Sequence, residues 1–170
     1  RSVFFRAPVS RGSARLRLSR VPLDGSAPPM GLTDWKDNWD GVVALHGGDL
    51  LVMVDQGAGF IRIPADGGEP GSPTTMDAGE YRGNLFPSSV LPGDEGVLLN
   101  GVSYGSRGWY IRIALLDPKT GKVRFLLDDA GNAHYAPTGH LLFTRGDALL
   151  AAPFDLGRLD ITGPPAPILS

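Results

Sequence analysis

Apolar residues fall in short runs along the chain, and several of these runs alternate with polar positions. Leu16 and Leu18 are interleaved with Arg15 and Arg17, and Phe60-Ile-Arg-Ile63 and Tyr110-Ile-Arg-Ile113 carry one Arg each among β-branched residues. Alternation with a period of two places one set of side chains on one face of a strand. Other runs, such as Leu50-Leu-Val-Met-Val54 and Val97-Leu-Leu99, are apolar throughout. The runs are short, rich in Val, Ile, Leu and Phe, and bounded by Gly, Pro and Asp, which are strand signals. No segment sustains a helical period. The 24 Gly and 15 Pro of the 170 residues agree with this, because each costs a helix interior roughly 1 and 3 kcal/mol respectively. The pattern predicts an all-β chain.

The strands repeat. One unit is a strand, a Gly-containing turn and a second short strand, seen at Leu16–Gly25, Phe60–Gly67, Trp109–Gly121 and Ala148–Gly157. Its turn glycines, 25, 67, 121 and 157, are spaced by 44 residues on average. A second, interleaved turn is marked by Gly48, Gly93 and Gly139, spaced by 45 and 46 residues. Asp-Gly and Gly-Gly turns supply the positive φ angles that tight hairpins need. Two independent turns sharing a period of this length, with about four short strands each, are the signature of β-propeller blades.

The expected fold is therefore an all-β partial β-propeller of about three and a half to four blades, each a four-stranded antiparallel meander. The chain reads as a single propeller fragment over 1–170, with a partial blade at 1–32 lacking its first strand and blades at 33–75, 76–127 and 128–170. Three full blades and one partial blade leave open edges and bare blade faces. This predicts an arc of a roughly six- to eight-bladed ring. A half ring that pairs with another chain is the alternative. Both ends of the sequence read as cut from a longer protein.

Particular residues resemble a known group. The layout resembles TolB-like, WD-repeat-like bacterial propellers. The run Asn132–Leu169, with its Tyr-x-Pro-Thr-Gly-His-Leu and Pro-Phe-Asp-Leu…Thr-Gly-Pro-Pro segments, is similar to propellers found after the kinase domain of bacterial Ser/Thr protein kinases. Ile63-Pro-Ala-Asp-Gly-Gly-Glu-Pro70 fits the same pattern. The resemblance is carried by residues 59–170 and is weak over 1–58. It implies a sensor or protein-interaction module, a kinase elsewhere in the parent protein, and a periplasmic or extracytoplasmic position. It transfers no catalysis, since Gly57-Ala-Gly59 is followed by Phe-Ile-Arg and lacks the third Gly of a phosphate loop.

Composition narrows the chemistry. With no Cys, disulfide scaffolds, thiol nucleophiles and cysteine metal sites are excluded. A net charge of −2 does not suit a nucleic-acid binder. Six Arg and no acid occupy the first 20 residues, but their alternation with Leu is that of a half-exposed strand. No run approaches the roughly 18 to 20 apolar residues needed to span a bilayer. The three histidines, His46, His134 and His140, are too dispersed for a zinc site. Gly101-Val-Ser-Tyr-Gly105 matches the nucleophile elbow, but that motif needs a helix after Ser103, and another strand follows. No catalytic residue, cofactor site or metal site is expected.

Three irregular connections, Thr33–Gly41, Met76–Asn84 and Gly101–Gly108, are the expected binding loops, with Trp35, Asp37, Trp39, Asp40, Tyr81, Arg82, Tyr104 and Arg107 as the candidate contact residues. Asp34–Asp40 packs three carboxylates and an Asn into seven positions. It lacks the alternate-residue spacing of a calcium loop and reads as a solvated segment anchored by its two Trp. Trp109, Tyr110, Phe86, Phe125 and Phe143 are expected to fill the spaces between blades. The expected function is non-enzymatic recognition of a protein or small ligand. The remaining blades of the parent chain are its nearest partners. The alternatives are an accessory propeller gating a peptidase or hydrolase, and a ring completed by self-association.

Overall fold

The computed structural model describes residues 2–36, 39–106 and 108–169. All of its regular structure is β, apart from two single 3-10 turns at Asp55–Gly57 and Pro92–Asp94. Sixteen strands form four antiparallel sheets. The first holds β1 (Ser2–Pro8), β2 (Leu16–Pro22) and β3 (Met30–Asp34). The second holds β4 (Trp39–Ala44), β5 (Leu50–Val54), β6 (Gly59–Ile63) and β7 (Thr74–Thr75). The third holds β8 (Asn84–Val90), β9 (Val97–Gly105), β10 (Gly108–Leu116) and β11 (Val123–Asp128). The fourth holds β12 (Gly131–Ala136), β13 (His140–Arg145) and β14 (Ala148–Asp155), with β15 (Asp160–Ile161) and β16 (Ala166–Leu169) both pairing β14. Within each sheet, strands that follow one another in sequence are neighbours in space, except that β16 pairs β14 rather than β15.

The two sequence repeats map onto equivalent places. Gly48, Gly93 and Gly139 lie in the turns joining the first and second strands of sheets two, three and four, and all have positive φ. Gly25, Gly67, Gly121 and Gly157 follow β2, β6, β10 and β14, each of which precedes the last part of its sheet. The period is thus one sheet long.

Packing explains why some strands alternate and others do not. In β5, Leu51 and Met53 pack toward the third sheet with Leu99 and Leu116, while Leu50, Val52 and Val54 pack toward the first sheet with Leu18 and Leu32. Both faces of β5 are covered, so every position is apolar. The third sheet repeats the arrangement. Val97, Leu99, Ala114 and Leu116 face the second sheet, and Leu98, Ile113 and Leu115 face Leu141 and Phe143 of the fourth. Burial of such a side chain is worth about 1.5–3 kcal/mol, and it is gained between sheets rather than within one.

Polar contacts join neighbouring sheets at their lead strands and turns. The Ser88 and Ser89 hydroxyls in β8 both donate to the Ala133 carbonyl in β12, at 3.0 and 2.8 Å. Arg20 in β2 donates to the Ala65 carbonyl beyond β6 at 2.9 Å. The outward faces of the first and fourth sheets carry no further sheet, and Val3, Leu23, Met30, Ile168 and Leu169 are exposed.

One expectation changes. Gly101–Gly108 is not an irregular excursion: β9 and β10 pair without a bulge from Val97↔Leu116 to Gly105↔Gly108. Its glycines lie within a long hairpin whose aromatic cross-strand pair sustains the ladder beyond the body of the sheet.

Candidate functional site

The distal half of the β9–β10 hairpin has two different faces, because side chains alternate along each strand. Ser103 and Tyr110 are paired across the ladder and continue the face that packs on the second sheet. Tyr104 pairs with Trp109, and Val102 with Ile111, on the face directed to the fourth sheet. Tyr104 and Trp109 meet edge to face at 5.2 Å between ring centres and are 73% and 72% exposed. Ile111 is exposed beside them. The sequence pattern predicts Trp109 between blades; its position past the last buried pair of the hairpin puts it in solvent instead. Phe143 does occupy the interior, and Phe86 and Phe125 are half-buried.

A cleft of about 700 Å³ opens on the Ser103–Tyr110 face. The Tyr81 ring lies 4.7 Å from that of Phe125, and the Arg112 guanidinium sits 4.8 Å above the Phe125 ring. Arg112 Nε also donates to Asp128 Oδ1 at 2.5 Å. The aromatic surface is therefore already covered by a cation of the protein. Tyr81 Oη is buried and has no hydrogen-bond partner among the described residues, and Ser103 lines the same cleft. Burial is the main reason its phenol titrates above the usual range. Gly83 and Gly101 make room for it, since a Cβ on either would come within 2.5 and 3.0 Å of Oη.

On the opposite face, a second cleft of about 470 Å³ runs between the third and fourth sheets. Phe86, Val102 and Ile111 form its apolar floor, Trp109 one wall, and Asn100, Asp129, Asn132 and Thr144 its polar rim. Gly131 allows a close approach here: Ile111 Cγ2 would lie 3.0 Å from a Cβ at that position.

The structure divides the sequence-predicted residues into separate groups. Trp39 is buried between the first two sheets, and Trp35 meets it edge to face at 5.2 Å while the Arg6 guanidinium covers the Trp35 ring at 4.7 Å. Asp40 accepts the Gln56 amide at 2.5 Å, holding a turn in which Gln56 has φ 60°. Tyr81 and Arg82 share the first cleft, where the Arg82 guanidinium donates to the carbonyls of Gly79 and Tyr81 at 3.3 and 3.0 Å. Tyr104 stands on the hairpin beyond the other face. Asp37 and Arg107 lie outside the described residues. Sequence reasoning passed over Asn100, Asn132 and Asp129. Asp129 and Asn132 have φ of 52° and 55°, a conformation for which Asp and Asn are the usual non-glycine residues, and that was the only signal they carried.

Ser103 lies inside β9, paired with Tyr110, and not on the strand-to-helix turn that the nucleophile-elbow motif describes. Among the described residues no three His, Asp or Glu side chains gather to hold a metal ion. Among the described residues no helix is long and apolar enough to cross a membrane.

Fold and site together define an all-β protein of four stacked antiparallel sheets that presents an aromatic hairpin between two clefts. No family model matches the chain, and no curated protein matches it.

Proposed function

We propose that the chain is a non-enzymatic recognition module, built as an arc of a β-propeller within a larger bacterial protein such as a Ser/Thr kinase. The observation that carries recognition is the Tyr104–Trp109 pair, two large aromatic side chains held in solvent on a bulge-free hairpin. Exposed aromatic clusters on rigid elements are characteristic of binding surfaces. The propeller reading is supported by the sheet-long repeat, by consecutive meanders, and by close approach of the lead strands β4, β8 and β12 in turn. Bare outer faces on the first and fourth sheets support an arc rather than a finished ring. The kinase association rests on the resemblance over residues 59–170.

Two experiments test this. Affinity capture with the chain as bait, followed by rebinding of the purified partner, should give a complex lost in the Tyr104→Ala/Trp109→Ala variant. A partner that binds the variant equally well overturns the assignment of the hairpin, and turnover of ATP, ester or peptide substrates by the chain overturns the non-enzymatic reading. Electron microscopy of the parent protein should show roughly six to eight blades around one axis. Sheets arranged without a common axis would end the propeller reading.

A further inference from the structure

The cleft between the third and fourth sheets has a chemistry that narrows its ligand. Trp109 offers an exposed indole, and among the described residues its only ring contact is the edge-to-face one with Tyr104. The rim is made of amides, a hydroxyl and one carboxylate. Asn132 N donates to Asn100 Oδ1 at 2.7 Å, Asn132 Nδ2 to Thr144 Oγ1 at 3.3 Å, and Thr144 Oγ1 to the Gly131 carbonyl at 3.2 Å. This relay fixes the two Asn side chains. It leaves Asn100 Nδ2 as donor, and Asn132 Oδ1 and the Asp129 carboxylate as acceptors, without partners among the described residues.

We propose that this cleft binds a neutral saccharide, one pyranose face stacked on the Trp109 indole and its hydroxyls bonded by Asn100, Asn132 and Asp129. The proposal rests on the reading of the hairpin as a recognition element and names its ligand class. A sugar ring presents polarised C–H groups on one face, which are attracted to the negative face of an aromatic ring. Its hydroxyls each donate and accept, and a rim offering both amide donors and oxygen acceptors answers both needs. Because the rim is already held by its own hydrogen bonds, little side-chain freedom is lost on binding.

Other ligand classes fit less well. Among the described residues no cation lines this cleft, so a phosphate or a nucleic-acid backbone finds no countercharge in that lining. An ammonium ligand would find Asp129, but of the described rings that line the cleft only Trp109 is exposed, where an aromatic cage needs several. In the neighbouring cleft the ring of Phe125 is already covered by Arg112.

The test is a titration of the 15N-labelled 170-residue chain with cellobiose, maltose and N-acetylglucosamine, followed by NMR, with adenosine and choline as probes of the competing classes. The expected result is a saturable shift of the Trp109 indole N–H and the Asn132 side-chain amide, with a Kd on the order of 1 mM. Trp109→Ala should weaken binding at least about tenfold, and Trp109→Phe, which keeps a stacking face, should retain most of it. Asn132→Gly keeps the left-handed backbone and removes the amide, and should also weaken binding while leaving the other amide resonances in place. No saturable shift with any sugar, a shift that survives Trp109→Ala, or binding of adenosine or choline alone overturns the proposal. If sugars fail while a captured partner still depends on Tyr104 and Trp109, only the saccharide assignment falls. If both fail, the recognition reading of the hairpin falls with it.

Discussion

His46 and Asp94 are 48 residues apart in sequence and hold corresponding turns of two neighbouring sheets together. Asp94 Oδ1 accepts the His46 backbone amide at 2.8 Å and lies 2.9 Å from His46 Nδ1. His46 is in the β4–β5 turn and Asp94 in the β8–β9 turn, so the contact links equivalent turns of successive repeats. Burial pushes the Asp94 carboxyl up, but the His46 amide and imidazole, with the Gly47 amide, outweigh it and hold the carboxyl below its usual 3.8.

The sign of the pH effect follows from that lowered value. The stabilisation from Asp94 is present above pH 3.8 and is lost as pH falls through the folded-state value. Asp94→Ala should cost about 1 kcal/mol at neutral pH and flatten the acid limb of stability. Urea denaturation at a series of pH values checks both. An acid limb unchanged in the variant would show that Asp94 does not contribute to it.

Gly57 marks how closely the second and third sheets approach. It has φ 83°, and a Cβ there would lie 2.5 Å from both the amide and the carbonyl of Leu85 in β8. Backbone cannot yield as a flexible side chain can, so Gly57→Ala should destabilise by about 3 kcal/mol or more. Gly25 has φ 71° with nothing within 4 Å of a Cβ. Gly25→Ala should cost only the left-handed conformation, about 1–2 kcal/mol. Equal costs in denaturation experiments would show that the sheets are not packed at that distance.

Tyr81 carries a buried hydroxyl without a hydrogen-bond partner among the described residues. Tyr81→Phe should therefore leave stability within about 0.5 kcal/mol of the parent or raise it, rather than lower it. Its phenol is raised above 10.0, so its contribution is intact below that value and declines as pH rises through the higher folded-state value. Ultraviolet titration of the four tyrosines should show one ionising late, and that component should vanish in Tyr81→Phe.

The three tryptophans differ sharply in exposure. Trp109 is 72% exposed and Trp39 is 5% exposed, with Trp35 between them. Acrylamide should quench one emission component readily, and Trp109→Phe should remove that component while leaving the unfolding midpoint almost unchanged. Loss of the slowly quenched component instead would place Trp109 in the interior.

The sequence alone determined the strands, their short lengths and the repeat that sets one sheet after another. Turn chemistry at Gly48, Gly93 and Gly139 is local, and a continuous apolar run such as Leu50–Val54 already requires cover on both faces. Tyr81, Arg82 and Tyr104, candidate contact residues in the sequence, lie in the first cleft and on the hairpin. What only tertiary structure decided was which aromatic side chains reach solvent. Trp109 and Phe143 read alike in sequence, yet one stands beyond the packed part of its sheet and the other is enclosed between two sheets. The same holds for Asn100 and Asn132, 32 residues apart and joined by a 2.7 Å hydrogen bond. Exposure and contact of this kind depend on where one sheet ends against the next, a relation between distant segments that local periodicity does not encode.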